Sequence, residues 1–413
     1  MDKWIDAPYG FLMSAADSPF LTTTTLGSHA FPGAWRYMLP EDFQWLRVPR
    51  ERLATCNACY EVARGEYHDD CRCCMHFPQV PNFMLGFALR DAGSRPYVQA
   101  QIEQGHALPQ GLVATPLQFR AAVEAYANDR FGKVPSMVCP FVEPSSFNCR
   151  IYPYRNSICS TFFCSHDHGE VGGTYWDRVQ GFVGLIETVL SQWAMGEVGL
   201  PSKEYISRLD AWADRIPETF DTSTKAWSPA VREQLWGDWL DRESDFFRAC
   251  ADVVEGRRTE LYELACEQPY LEALVFERGV RDWIPEEIRD DVPYVAEEQG
   301  MTEPLPSLWY KLQLANRQLW ELPFNEGHVV LSEKATIEVD HLPVHGKNTP
   351  FVVRLGDIRL DLSDEDAVLL RLFATAQVLG EALFARPEVE GHDDPRGFLA
   401  QCLRSGILVT ADR

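Results

Sequence analysis

The feature that most constrains this chain is the concentration of cysteine in one part of it. Nine of the twelve cysteines fall between residues 56 and 164, in two blocks. The first block, CNACYEVARGEYHDDCRCC (56–74), contains Cys56, Cys59, Cys71, Cys73 and Cys74. The second block, CPFVEPSSFNCRIYPYRNSICSTFFC (139–164), contains Cys139, Cys149, Cys159 and Cys164. Thiols at this density can form disulfides, a metal site or a redox centre.

Disulfides are the alternative that the rest of the sequence disfavours. A disulfide framework is typical of small secreted domains, whereas this chain has 413 residues. Its N-terminus, MDKWIDAPYGFLMSAADSP, lacks the basic-then-apolar order of a secretion signal. No run of about 18 apolar residues is present, so the sequence predicts no membrane span. We therefore expect a cytoplasmic protein, in which thiols are kept reduced.

Thiolates that converge from two segments are what a soft metal needs. A Cys-x2-Cys turn such as Cys56–Cys59 supplies two ligands, and four thiolates complete a zinc site or hold one iron–sulfur cluster. Nine cysteines exceed one site, so either two centres form or some thiols are spectators. Zinc ribbons usually pair two such turns, and the adjacent Cys73–Cys74 is awkward for a single ion. Iron, bound singly or as an iron–sulfur cluster, is therefore favoured, with zinc as the alternative.

The spacing of both blocks resembles a bacterial cysteine-cluster family of zinc- or iron-chelating domains (CxxCxxxxxxCC type). That family's second block has the pattern Cys-x-Ile-Tyr-x-x-Arg-Pro-x-x-Cys-Arg-x-Phe, and Asn156 and Ser160 stand here where it has Pro and Arg. The residues on matching positions are Cys149, Ile151, Tyr152, Arg155, Cys159 and Phe162, together with Cys139 and the pair Cys73–Cys74. The resemblance implies metal binding and no particular reaction. The cysteine cluster of flagellin lysine-N-methylases is a more distant likeness, which makes an enzymatic role conceivable.

Two histidines follow the second block directly, in CSHDHGEVGG (164–173). His166 and His168 are one residue apart, so in a strand both would point to one face. They could complete an open iron site or carry protons, or they could belong to a polar loop. The candidate metal ligands are therefore Cys56, Cys59, Cys71, Cys73, Cys74, Cys139, Cys149, Cys159, Cys164, His166 and His168.

Helical periodicity dominates the sequence beyond the first block. Residues 115–132 predict a helix that ends near Gly132, and residues 174–195 predict another. Residues 228–267 predict one long helix or two joined ones. In that segment we expect Leu235, Trp239, Phe246, Phe247 and Ala251 in the core, and Asp238, Asp241, Glu243 and Asp245 in water.

The C-terminal part has mixed patterns. Residues 351–363 predict a hairpin that turns at Gly356–Asp357, and Ser363 is a candidate N-cap for a helix over 363–385. A short helix and a final strand are expected over 394–409. The predicted fold is mainly α, with an irregular cysteine-rich metal-binding region and a small α+β, winged-helix-like C-terminal domain. The expected divisions are an extended segment (1–40), a cysteine-cluster domain (40–175), a helical domain (176–300) and the winged-helix-like domain (301–413).

Charge and the absence of nucleotide motifs limit the function classes. The net charge of −23 disfavours nucleic acid and anionic membranes as partners. The sequence has no Walker loop, no GxGxxG after a strand and no GxSxG elbow. We therefore expect a metal-binding cysteine-cluster protein. The alternative is an iron-dependent redox or peptide- or protein-modifying enzyme whose C-terminal domain binds the peptide or protein substrate.

Overall fold

The structure is a computed structural model of the chain. It describes residues 18–49, 51, 56–75, 77–164, 166, 168–273, 275–289, 303–320, 328–339, 351–356, 358–379, 381–390, 392 and 394–410. Residues 1–17 of the predicted N-terminal segment (1–40) lie outside the described residues.

The described chain is mainly helical with small antiparallel sheets, as the sequence predicts at this level. The helices are α1 (Trp35–Met38), α2 (Tyr60–Ala63), α3 (Asn82–Arg90), α4 (Arg95–Glu103), α5 (Pro116–Ala127), α6 (Ser157–Thr161), α7 (Gly169–Glu197), α8 (Ser202–Asp210), α9 (Pro229–Trp236), α10 (Glu243–Gly256), α11 (Leu261–Glu267), α12 (Arg281–Trp283), α13 (Leu305–Trp320), α14 (Asp364–Arg371), α15 (Glu381–Phe384), α16 (Pro387–Glu390) and α17 (Pro395–Arg404).

Four small antiparallel sheets accompany the helices in the described residues. Two of them are three-stranded sheets in the C-terminal part, with the orders β10-β6-β11 and β7-β8-β9, and the others are β1-β2 and β3-β5-β4. The strands are β1 (Thr23–Leu26), β2 (His29–Pro32), β3 (Val80–Pro81), β4 (Ala107–Leu108), β5 (Gly111–Leu112), β6 (His328–Leu331), β7 (Thr336–Val339), β8 (Phe351–Leu355), β9 (Ile358–Leu362), β10 (Gln377–Val378) and β11 (Leu408–Thr410).

Helix α5 shows how local chemistry sets helix ends. Thr115 and Gln118 form a capping box at its start, and Pro116 occupies the first turn, where its missing N–H costs nothing. The helix ends at Ala127, earlier than the predicted end at Gly132. Asp129 has a left-handed backbone (φ 51°), which turns the chain before the glycine is reached.

The segment 228–267 is broken more often than predicted. Gly237 (φ 53°) and Asp241 (φ 64°) adopt left-handed backbone between α9 and α10, so no continuous helix passes through them. Trp239 is half-buried rather than in the core. Glu243, which we expected in water, is buried because it forms an ion pair with Arg232 at 2.7 Å.

The C-terminal predictions are partly confirmed. Strands β8 and β9 form the expected hairpin, in which Leu355 pairs with Ile358. Asp357 of the predicted turn lies outside the described residues. Ser363 caps α14 through a capping box with Asp366. The helix predicted over 363–385 instead ends at Arg371 and gives way to a 3-10 turn and β10. The final helix and strand are present as α17 and β11.

Two large hydrophobic clusters organise the described residues. The larger one contains buried side chains from Phe20 to Leu319, with α7 packed against α6, α10 and α13. The smaller one contains buried side chains from Val329 to Leu408. Helix α17 of the smaller cluster also contacts α7 and α13. Within the described residues, no helix is both long and apolar enough to cross a membrane.

Candidate metal centre

The first cysteine block consists of short turns rather than regular elements. Cys56 lies in a 3-10 turn and Cys59 precedes α2. A second turn begins at His68, whose carbonyl accepts hydrogen bonds from the N–H groups of Cys71 and Arg72 at 3.1 Å each. Cys74 follows, and its carbonyl accepts the N–H of Cys139 at 2.8 Å. This backbone hydrogen bond joins the end of the first block to the start of the second.

The second block is positioned by a β-bridge and a short helix. Cys149 forms an isolated antiparallel bridge with Val142. Cys159 lies in α6, and Asn156 caps this helix by accepting the Cys159 N–H at 3.0 Å. A proline at position 156 could not provide this cap, because it has no side-chain oxygen to accept the hydrogen bond. Helix α6 packs on α7, which fixes Cys159 relative to the core.

A first group of thiols shares one electrostatic environment. The pKa of Cys56 is raised to about 12, mainly by burial and in part by the charges of Cys74, Cys164 and Cys59. Cys73 and Cys74 form a hydrogen-bonded pair, in which the pKa of Cys73 is raised and that of Cys74 is lowered. The charge of Cys164, in the second block, also contributes to the raised pKa of Cys56 and Cys73 in the first.

A second group of thiols surrounds Cys74 from the other side. The pKa of Cys149 is raised to about 11 and that of Cys159 to about 12, mainly because both thiols are buried. Burial also raises the pKa of Cys139, and the charges of Cys149, Cys159 and Cys74 add to it. Cys74 interacts with every member of this group, so it connects the two groups.

Cys71 packs apart from the other candidate thiols. Its Sγ donates to the carbonyl oxygen of Val134 at 3.2 Å, and the side chain packs in a small separate cluster with Met75 and Ala125. All twelve cysteines lie in the described part of the chain, and none of them forms a disulfide there.

Two arginines supply positive charge to the thiols. Arg155 stacks on Tyr152 at 3.7 Å and donates to the carbonyl oxygen of Cys159 at 3.1 Å. Arg72 lies between Cys71 and Cys73 in the sequence and is buried. Both guanidinium groups favour the ionised form of Cys74, adding to the larger effect of the Cys73 hydrogen bond.

The two histidines lie in different environments, because the chain leads into α7 rather than forming a strand. His166 Nδ1 is 3.6 Å from a carboxylate oxygen of the buried Glu51, which also accepts the indole N–H of Trp176 at 2.8 Å. His168 is buried against Trp320, and its Nδ1 is 3.3 Å from Arg404 Nη1. Burial, with the charges of Arg404 and Arg47, lowers the pKa of His168 to about 3, so its imidazole is neutral.

Aromatic side chains cover the second block only in part. Phe141 is fully buried, and Phe163 packs against Trp176 with a ring-centroid distance of 4.7 Å. Tyr152 is half-buried, and Phe162 is 48% exposed. The side of the cluster near Phe162 and the exposed Cys164 is therefore open to solvent.

Sequence reasoning missed two charged residues of this region, Glu51 and Arg72. Glu51 precedes the first block, and no spacing rule links it to His166 more than a hundred positions later. Arg72 could have been found, because a basic residue inside CRCC stands among thiols whose ionised forms it would stabilise.

Neither a preformed metal site in the described residues nor similarity to a known protein assigns a function to this chain. Across the described ranges, no three His, Cys, Asp or Glu side chains already stand in a metal-binding arrangement. Comparison of the chain with family models, with curated proteins and with solved structures finds no match. The function therefore has to be inferred from the residues of the site themselves.

Proposed function

We propose that this chain is a metal-binding cysteine-cluster protein that holds iron, an iron–sulfur cluster or zinc through thiolates from both blocks. Iron, singly or as a cluster, is the favoured metal. The single observation that carries the proposal is the junction of the two blocks at Cys74. Its carbonyl accepts the N–H of Cys139 at 2.8 Å, and its charge contributes to the raised pKa of Cys139, Cys149 and Cys159. The resemblance to the chelating family, which rests on the same residues, supports it.

The energetics of the thiols favour a metal. Burial opposes ionisation of Cys56, Cys149 and Cys159, so several protonated thiols lie in one buried region. A soft cation exchanges their protons for metal–sulfur bonds and neutralises the repulsion between thiolates. The thiols have to close on the metal as it binds, which is the usual coupling of metal binding to local folding.

The donor set fits a thiolate-bound metal. Cys74, Cys139, Cys149 and Cys159 would form one four-thiolate group, because each interacts with Cys74. Cys56, Cys59, Cys73 and Cys164 would form a second group, with His166 beside Cys164 as a further donor. Cys71 is the least suited, because its thiol is engaged by Val134. Bound iron or an iron–sulfur cluster would supply one-electron chemistry, whereas zinc would supply structure.

Anaerobic purification followed by metal analysis and a visible spectrum tests the proposal. We expect bound iron and a coloured protein, and we expect Cys74→Ser and Cys159→Ser to lose the metal. Cys250→Ser is the control, because Cys250 is a buried thiol in the core on α10, outside both blocks. A colourless protein with one or two zinc ions per chain would overturn the preference for iron. A chain that takes up no metal would overturn the proposal itself.

A second candidate function, an iron-dependent redox or peptide- or protein-modifying enzyme, is favoured by one contact. Arg404 of α17 lies against His168, which stands four residues after Cys164. A peptide bound by the C-terminal part would thus be near the cysteine blocks. This candidate requires a winged-helix-like C-terminal part, and the hairpin β8–β9, the capped α14 and the α17–β11 unit are consistent with that fold. Peptide-dependent turnover by the iron-loaded protein is its test.

The expected partners and compartment belong to the same proposal. Asp364, Glu365 and Asp366 stand in the first turn of α14, where they would repel a nucleic-acid backbone. A peptide or protein is therefore the preferred partner of the C-terminal part. Twelve cysteines without a disulfide in the described residues are compatible with a reducing compartment, so we propose the cytoplasm as the location.

A further inference from the structure

Arg72 is a charged side chain held in place from two sides. The residue is only 7% exposed. Its Nη2 donates to a carboxylate oxygen of Asp69 at 3.0 Å, and its guanidinium lies 3.5 Å from the ring centroid of Phe147. An ion pair at one edge and an aromatic face against the plane leave the guanidinium little freedom to move.

This placement is energetically unfavourable in the absence of a further partner. Among the described residues, Nε and Nη1 of Arg72 are buried and have no hydrogen-bond partner. A buried donor without a partner costs about 1–3 kcal/mol, and more when it is charged. The backbone adds to the cost, because Arg72 (φ 53°) and Phe147 (φ 55°) both adopt the left-handed conformation that non-glycine residues avoid.

The surroundings of Arg72 indicate what would satisfy it. Cys71 precedes it and Cys73 and Cys74 follow it. Its charge favours the ionised forms of Cys74 and, against the larger effect of burial, of Cys56. Asp69 is largely exposed, so it neutralises the guanidinium only weakly. The missing partner is therefore an electron-rich group on the thiol side, and ionised sulfur fits that description.

We propose that Arg72 is a positioning residue of the metal centre, whose Nε and Nη1 donate hydrogen bonds to the sulfur ligands and whose charge offsets that of the clustered thiolates. The inference rests on the proposed function and deepens it. Four thiolates around a divalent ion leave a net negative charge, which a fixed cation nearby stabilises. Arginine suits this role better than lysine, because its planar fork keeps two N–H groups in set directions while a third binds Asp69.

Cobalt(II) uptake by the metal-free full-length protein is the test, since cobalt reports thiolate ligation by a sulfur-to-metal charge-transfer band. In Arg72→Gln we expect the band to move to lower energy, because sulfur that has lost hydrogen bonds and a nearby cation gives up electrons more easily. We also expect EDTA to remove cobalt about 10-fold faster or more, as is typical when an outer-shell partner is removed. Arg72→Lys should release cobalt at an intermediate rate, because it keeps the charge and loses the fork.

Arg150→Gln is the matched control. Arg150 is also stacked on an aromatic ring, Tyr97 at 4.1 Å, and also follows a cysteine, but Glu143 engages its guanidinium. This variant should keep the wild-type band and release rate. If Arg72→Gln binds cobalt with the wild-type charge-transfer band and the wild-type release rate, the proposed role of Arg72 is overturned. The metal site itself is then upheld, because cobalt still binds. If circular dichroism shows that Arg72→Gln is unfolded, Arg72→Lys decides by the same criterion. Failure of the wild-type protein to bind cobalt would overturn the proposed function and this inference with it.

Discussion

Glu187 is a carboxyl group that the fold buries beneath the helix that carries Cys159. It is 3% exposed and lies on α7. Its Oε2 accepts the N–H of Ser157 at 2.9 Å, and its Oε1 accepts the indole N–H of Trp35 at 3.4 Å. Burial raises its pKa from 4.5 to about 7, although these hydrogen bonds act in the opposite direction. The carboxyl group therefore links the position of α6 to pH.

Replacement of Glu187 by glutamine should remove a pH dependence of stability. Because the pKa of Glu187 is higher in the folded than in the unfolded chain, the protonated carboxyl group stabilises the folded protein. This stabilisation is complete below about pH 4.5 and declines as the pH rises toward about 7. Up to about 3 kcal/mol would be lost over that interval. In Glu187→Gln the free energy of unfolding should therefore change less between about pH 5 and about pH 8. Urea titrations at both pH values measure it.

The exposed Glu197, at the end of the same helix, provides the control for this experiment. Glu197→Gln should follow the wild-type pH dependence, because folding leaves this side chain exposed to solvent. Equal pH dependence in wild-type protein and Glu187→Gln would show that Glu187 does not titrate in this range.

The sequence could predict which thiols are candidates but not what surrounds them. Spacing within one block is local, so pairs such as Cys56–Cys59 and Cys73–Cys74 are visible directly. The contact between Glu51 and His166 and the placement of His168 against Trp320 depend on tertiary packing. No periodicity in one sequence encodes such long-range pairs.

At the scale of elements, capping chemistry was predictable and helix breaks were not. Ser363 with Asp366 three residues later is a local signal, and the structure contains that capping box. The break between α9 and α10 occurs inside an amphipathic pattern that continues across it. There, Gly237 and Asp241 turn the chain so that Glu243 can reach Arg232. A tertiary ion pair thus accompanies a break that periodicity alone does not reveal.

The α14 cap offers a measurable energy at this scale. In Ser363→Ala the N–H of Asp366 loses its acceptor at 3.0 Å, while Asp366 keeps the N–H of residue 363. We expect a loss of about 1 kcal/mol in stability of the C-terminal core. Ser363→Asp keeps an acceptor and should retain most of that energy. Denaturant unfolding measures both variants, and equal stability of Ser363→Ala and wild-type protein would contradict the assignment.

At the scale of the whole molecule, the two hydrophobic clusters meet at a polar and aromatic junction. The guanidinium of Arg47 lies 3.7 Å from the ring centroid of Trp320 and pairs with Asp394, which precedes α17. The indole N–H of Trp320 donates to the carbonyl oxygen of Arg47 at 2.9 Å. Arg404 reaches from α17 to His168 and to the carbonyl oxygen of Gln318. The sequence predicted separate N- and C-terminal regions, but this junction combines segments too distant in sequence for local patterns to connect.

Trp320 is the residue whose loss should separate the two clusters most clearly. Trp320→Leu removes the cation–π contact, the hydrogen bond to Arg47 and the edge contact with His168, at a cost of about 2 kcal/mol. Because the smaller cluster then loses its support on α13, calorimetry should show it unfolding at a lower temperature than the larger one. Trp45→Leu is the control, since Trp45 lies near Arg47 in sequence but is 78% exposed. If calorimetry of Trp320→Leu shows a single transition at the wild-type temperature, the junction does not hold the two clusters together.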